Sequence, residues 1–150
     1  MASTLVTMNV HLIFHTKTFS PMRSDDLERI HEYIGGIIKG VGSNPIRIGG
    51  VENHVHILAT LPKTMSISDF VRTIKAESSR WIKGLGDYYH AFAWQEGYGA
   101  FSVSSSVVAS TVAYIGNQVE HHRNVTFAEE YKQFLQAYNT KYDERYLEND

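Results

Sequence analysis

His54 and His56 stand one residue apart in the stretch GVENHVHILATLP, residues 50–62, where apolar side chains otherwise dominate. In an extended strand, side chains two apart point to the same side. The two imidazoles therefore share one face, and Val55 and Ile57 take the other. Neutral imidazole nitrogen is a common ligand of divalent cations, so the pair could chelate one. The plainer alternative is two partly buried polar rings bonded to backbone or water. A cation would need at least a third ligand from elsewhere in the chain.

The second stretch with chemistry in it is VAYIGNQVEHHR, residues 112–123. On a helix turning roughly 100° per residue, Val108, Val112, Ile115 and Val119 form an apolar stripe. Tyr114, Gln118 and His121 fall on a separate flank, with Tyr114 and Gln118 side by side as an i, i+4 pair. A tyrosine placed to fill the core would lie in the stripe, and Tyr114 does not. It is either a partly exposed ring packed on a neighbouring element or a hydroxyl available as a nucleophile. Attack on a phosphodiester requires charge to be drawn from the phosphate, which a nearby metal would do. Gln118 offers an amide oxygen as the missing third ligand. His121 and His122 diverge on the helix, so at most one of them is expected at such a site; their simpler role is to cap the helix end or bind phosphate.

These residues need a scaffold, and the periodicities supply one. Residues 4–15 alternate as a strand, with Val10, Leu12 and Phe14 on one face and His11, Ile13 and His15 on the other. Ser24, Asp25 and Asp26 open a helix whose apolar positions are Leu27, Ile30, Ile34, Ile37 and Val41, and Gly40 and Gly42 end it. Two strands follow over 45–51 and 53–61. Ser66 or Ser68 caps a second helix carrying Ile67, Phe70, Val71, Ile74, Trp81 and Ile82. Residues 91–104 read as two short strands around a glycine-rich turn. A third helix runs from Ser104–Ser106 to about residue 123. A last helix over 127–138 packs Phe127, Tyr131 and Phe134 or Leu135. The order predicts a single α+β domain over residues 1–150: a ferredoxin-like or RNA-recognition-like antiparallel sheet with two helices on one face. The tyrosine-bearing helix is placed on the other face.

On the second helix, Arg72, Lys75, Ser79 and Lys83 share a face opposite the apolar stripe, and Arg80 lies to one side. A solvated surface is the default reading of such a face. The alternative is a set of phosphate contacts to nucleic acid, where Lys and Arg supply affinity rather than sequence choice.

Composition narrows the classes. The chain has 150 residues, a hydrophobic content of 43% and a charged content of 20%, ordinary for a soluble globular domain. A net charge of −2 argues against a broadly non-specific nucleic-acid binder. That charge is uneven: residues 1–125 carry 11 Lys/Arg against 10 Asp/Glu, and residues 126–150 carry 3 against 6. The absence of cysteine excludes disulfides and thiolate metal sites. The stretch MASTLVTMNVHLIFHTK has neither a basic leader nor a long apolar core. Nothing in the chain approaches the roughly 20 apolar residues of a membrane helix. A cytoplasmic protein without membrane contact is expected.

Taken together, these segments resemble a family. His54-Val55-His56 looks like the His-hydrophobic-His (HUH) motif. Tyr114-Ile115-Gly116-Asn117-Gln118, followed by His121-His122, looks like the tyrosine helix of the small single-tyrosine transposases of the simplest bacterial insertion sequences. Glu96 to Ser104 resembles the segment preceding that helix, and Lys75, Ser79, Arg80 and Trp81 match the basic helix. The resemblance spans nearly the whole chain in the family's order. It departs after the first strand, where the family's Thr-Lys-aromatic-Arg run is replaced by Lys17-Thr18-Phe19-Ser20-Pro21 with Arg23 beyond. It implies Mg²⁺ or Mn²⁺ held by His54, His56 and Gln118 at a phosphate of single-stranded DNA. Tyr114 is then the nucleophile, forming a 5′-phosphotyrosine and releasing a 3′-hydroxyl that later reverses the reaction. It also implies recognition of DNA hairpins, with Arg72, Lys75, Arg80 and Lys83 as DNA contacts, and a homodimer. Two other classes stand beside it. One is a non-catalytic, domesticated nucleic-acid-binding module on the same fold, disfavoured because the first strand offers histidines rather than stacking aromatics. The other is a metal phosphohydrolase of small substrates, which would need a second histidine motif.

Overall fold

The β-branched and aromatic residues of NVHLIFH form a seven-residue strand, β1 (Asn9–His15), at the inside of a four-stranded sheet. The computed structural model describes residues 3–18 and 20–141; Phe19 and residues 142–150 at the acidic end lie outside the described residues. The other strands are β2 (Pro45–Val51), β3 (His54–Thr60) and β4 (Gly99–Val103). Their order across the sheet is β2-β3-β1-β4, and every pair is antiparallel. The helices are α1 (Leu27–Gly40), α2 (Ile67–Lys83), α3 (Val108–Gly116), α4 (Gln118–His121) and α5 (Phe127–Ala137). This is the expected α+β, ferredoxin-like arrangement.

The two faces of the sheet carry two different cores. Val10, Leu12, Phe14, Val55, Ile57 and Ala59 point to the face covered by α1 and α2, meeting Ile30, Ile34, Ile38, Phe70, Ile74 and Ile82 in the main cluster. Each fully buried side chain of this kind contributes about 1.5–3 kcal/mol. Ile13 and Phe101 on the opposite face meet Phe127 and Leu135 of α5, with Tyr131 and Phe134 packed beside them. Leu58 and Val103 on that face meet Ile115, with Val108, Val112 and Tyr114 around them.

Local chemistry sets the boundaries. Ser66 accepts from the Asp69 N–H and caps α2. Thr126 and Glu129 form a capping box at the start of α5. Gly42, at φ +85°, supplies the left-handed residue after α1. Gly50 lies at φ +153° near the end of β2, where a Cβ would collide with the His54 carbonyl.

Four expectations change. The first strand begins at Asn9 rather than residue 4; Leu5, Val6 and Met8 are exposed, and the Met8 carbonyl still accepts from the Leu61 N–H at 2.8 Å. Only Thr16 and Trp94 pair in the segment before β4, so one of the two short strands is a single bridge. Residues 24–26 form a 3-10 turn rather than the first turn of α1. The third helix is not continuous to residue 123: Asn117, at φ −104° and ψ 21°, separates α3 from α4. The break changes the phase of everything after it, so Val119, assigned to the apolar stripe, is 61% exposed.

Candidate metal and tyrosine site

β3 supplies the first part of the site from the middle of the sheet. His54 and His56 lie on its α5-facing side, and both are fully buried. Each ring is oriented by its far nitrogen. His54 Nδ1 donates to the Asn53 side-chain oxygen at 2.7 Å, and His56 Nδ1 lies 2.8 Å from His11 Nε2. The Nε2 atoms of both rings therefore face the opposite way, toward the last two helices.

The break at Asn117 sets the second part. Because α4 restarts with a new phase, it turns Gln118 inward to 1% exposure. Gln118 Oε1 sits 3.0 Å from His54 Nε2 and 3.0 Å from His122 Nε2. His122 Nδ1 donates to the Val125 carbonyl at 2.7 Å, so its Nε2 too faces inward.

The third part comes from α5. Glu130 shares the buried side of that helix with Phe127 and Leu135 and is fully buried. Its Oε1 lies 2.9 Å from His56 Nε2, 3.4 Å from His54 Nε2 and 3.3 Å from His122 Nε2. The ligand atoms of His54, His56, His122 and Glu130 all fall within 4.8 Å of one another. A proton on Nδ1 of His54 and His122 leaves Nε2 a lone pair, so acceptor atoms converge on one point together with an amide oxygen and a carboxylate. Such a donor set suits a divalent cation, and the partners on the far nitrogens are those that orient metal-binding imidazoles.

Tyr114, at the end of α3, completes the group. Its hydroxyl donates to Glu130 Oε2 and lies 3.3 Å from His121 Nε2. Its ring is 5.8 Å from that of His56 and 5.7 Å from that of Phe134. The approach of α3 to the sheet is set by Gly49, where a Cβ would lie 2.6 Å from the Ile115 carbonyl oxygen.

The electrostatics follow from burial and from Glu130. Burial opposes ionisation of Glu130, but close contacts with the imidazoles of His122, His54 and His56 outweigh it and hold the carboxyl far below the usual carboxylate range. Burial lowers His56 despite Glu130, and burial together with His56 pushes His11 down to about 3. His122 loses to burial but is raised on balance by its contacts with Glu130 and the Val125 carbonyl. Burial first, then Glu130, raise the Tyr114 phenol well above its ordinary value.

The sequence-selected residues His54, His56, Gln118 and Tyr114 are thus brought together. His122, read as a helix cap or phosphate binder, instead turns inward with His54 and Glu130. His121 contacts Glu130 at 3.2 Å, so both neighbours reach the same carboxylate. Glu130 was missed. Its signal was present: an acid at helical spacing from Phe127 and Phe134 lies within an apolar stripe.

The basic residues gather on α2, away from this cluster. Arg72, Lys75, Ser79 and Lys83 line a groove of about 640 Å³ with Trp94, Gln95 and Tyr98. Arg72 and Lys83 are exposed, and Arg72 pairs with Asp69; Arg80 is exposed outside the groove lining. Lys75 turns inward. Its Nζ donates to the carbonyls of Gln95 at 2.9 Å and Gly97 at 2.5 Å, and burial pulls it down to about 8.

Comparison with known proteins agrees with the fold. No curated protein sequence matches the chain. A candidate transposase from Deinococcus radiodurans R1 is similar in structure, with a TM-score of 0.61 and 21% identity over 79% of this chain and 95% of the other. A REP-associated tyrosine transposase solved with a REP hairpin gives a TM-score of 0.56 and 17% identity over 83% of this chain and 74% of the other. No helix among the described residues is long and apolar enough to cross a membrane. The family described as "Transposase IS200 like" matches residues 4–118, more than three quarters of the sequence, and the chain therefore belongs to that transposase family.

Proposed function

We propose that this transposase cleaves and rejoins single-stranded DNA at insertion-sequence ends, recognising hairpins and forming a covalent 5′-phosphotyrosine on Tyr114. One observation carries the reading. A tyrosine hydroxyl from α3 and the inward-facing Nε2 atoms of His54 and His56 meet on one face of the sheet around the Glu130 carboxylate, with the Gln118 oxygen beside His54.

His54, His56 and Gln118 would hold Mg²⁺ or Mn²⁺, with His122 and Glu130 within reach. When bound, the cation would draw charge from the scissile phosphate. The chain's own residues do the rest. The Tyr114 oxygen forms a bond to phosphorus as the bond from phosphorus to the 3′ oxygen breaks. The phenolic proton leaves, and the departing oxygen takes one up to become a 3′-hydroxyl. Attack of a 3′-hydroxyl on the phosphotyrosine runs the same steps backward and joins strands. Arg72, Arg80 and Lys83 are the proposed phosphate contacts, and Lys75 holds the 95–97 loop against the groove. Two copies acting as a homodimer would bring two tyrosines to two DNA ends, while each Tyr114 lies beside the histidines of its own chain.

The test is incubation with hairpin-bearing single-stranded DNA and Mn²⁺, followed by denaturing electrophoresis. A DNA–protein adduct is expected from wild type, none from Tyr114→Phe, and much less from His56→Ala. An adduct that survives Tyr114→Phe would remove Tyr114 as nucleophile. DNA binding with no adduct would favour the non-catalytic binding module.

A further inference from the structure

The cluster is closed to DNA. His54, His56 and Glu130 are fully buried, and Gln118 is 1% exposed, so no phosphodiester can reach their inward-facing atoms in this arrangement. The cover is α5. Phe127, Tyr131, Phe134 and Leu135 sit on Ile13 and Phe101 of the sheet, and the Tyr131 ring lies over Gly99, where a Cβ would meet its hydroxyl at 2.8 Å.

At the centre of this cover, Glu130 contacts the groups that the reaction needs. One carboxylate oxygen reaches the three imidazoles, and the other takes the Tyr114 hydroxyl and lies 3.2 Å from Gln118 Nε2. A carboxylate resembles the non-bridging oxygens of a phosphodiester: two oxygens share a single negative charge. Tyr114 spends its proton on this carboxylate and faces it where it would have to face phosphorus.

Resting on the transposase reading above, we infer that α5 is an intramolecular lid whose Glu130 carboxylate fills the seat of the DNA phosphate, and that α5 leaves the sheet before DNA is cut. Three features fit a part that detaches as a unit. Among the described residues, no backbone hydrogen bond joins α5 to the sheet, so opening breaks only side-chain contacts. Its own capping box satisfies its first-turn N–H groups without help from the sheet. α5 itself carries Glu129 and Glu130 against Lys132 alone, so it is repelled by the polyanion that replaces it.

The opposing reading makes Glu130 a working ligand or proton acceptor, and the two predict opposite signs. Adduct formation on hairpin-bearing single-stranded DNA with Mn²⁺ is measured for wild type, Glu130→Gln and Glu130→Ala. Amide hydrogen exchange across residues 127–137 is followed with and without that DNA. The lid predicts adduct formation at least about 5-fold faster in both variants, and exchange in wild-type α5 accelerated by about 10-fold on adding DNA. Slower adduct formation in both variants would overturn it, as would an adduct formed at the wild-type rate with α5 exchange unchanged; the transposase reading would survive either result. If no protein forms an adduct while DNA still accelerates exchange in α5, the cleavage chemistry falls and the lid stands.

Discussion

His11 Nε2 lies 2.8 Å from His56 Nδ1, joining two buried imidazoles across β1 and β3. The contact fixes which way the His56 ring faces and leaves its Nε2 for the cluster. Orienting partners of this kind change metal affinity about 10- to 100-fold when removed. His11→Ala is expected to weaken Mn²⁺ binding by that amount in titration calorimetry while leaving the far-ultraviolet circular dichroism unchanged. Unchanged affinity would reduce His11 to packing.

Gly49 carries the approach of α3. An alanine there would drive its Cβ to 2.6 Å from the backbone oxygen of Ile115, and backbone cannot turn aside as a side chain can. Gly49→Ala is expected to cost about 1–3 kcal/mol in urea unfolding, as overpacking does. It should also lower adduct formation, because Tyr114 moves with Ile115. Gly116→Ala serves as the comparison: its Cβ would meet the guanidinium of Arg47, an exposed side chain that can move away, so the loss should be smaller.

Lys75 and Lys83 share a groove but not a role. Lys83→Ala should weaken DNA hairpin binding and reduce the slope of log affinity against log salt by about 1. Lys75→Met should leave that slope nearly unchanged, since the ammonium is committed to the carbonyls of Gln95 and Gly97. Its expected effect is a lower melting temperature and faster proteolysis in the 95–98 loop. Equal changes in slope for both variants would make Lys75 a phosphate contact.

His31, on the outer side of α1, gives a pH dependence distant from the tyrosine. Burial, then the nearby Arg47, lower it to about 4, and its Nε2 has no hydrogen-bond partner among the described residues. The folded value lies below the ordinary imidazole value of about 6.5, so the unfolded chain binds the proton first. The stabilising contribution is complete above about pH 6.5 and is lost as pH falls toward 4. His31→Leu should flatten the stability profile across that window in urea unfolding, while leaving stability at pH 8 little changed. An unaltered profile would place the titration on other groups.

The sheet was legible because its faces are written in period two. Val10, Leu12 and Phe14 separated cleanly from His11, Ile13 and His15, and the structure gives those sets to different cores. The ends of elements were less legible. Alternation continues from residue 4 to residue 8, yet no strand there pairs, because pairing depends on a neighbour that periodicity does not reveal. The break at Asn117 was hidden for a similar reason. The helical spacing of VAYIGNQVEHH continues through Gly116 and Asn117, so periodicity alone does not mark the turn that this Gly-Asn pair makes. That one break accounts for both the exposed Val119 and the inward-facing His122. Glu130 is a different case: the periodicity of Phe127, Tyr131 and Phe134 predicts the helix and its apolar side, and a buried acid within that side has no periodic signature of its own.

β3 is hydrogen-bonded on both sides, to β2 and to β1. His54 and His56 are therefore fixed by folding itself, before any ion arrives, and the entropy of ordering them is already spent. Gln118, His122 and Glu130 stand on short helical segments that reach those rings through side chains. The site is thus half preorganised and half adaptable. A fixed pair of imidazoles would set where an ion sits, and the adaptable half would govern how fast it enters and leaves.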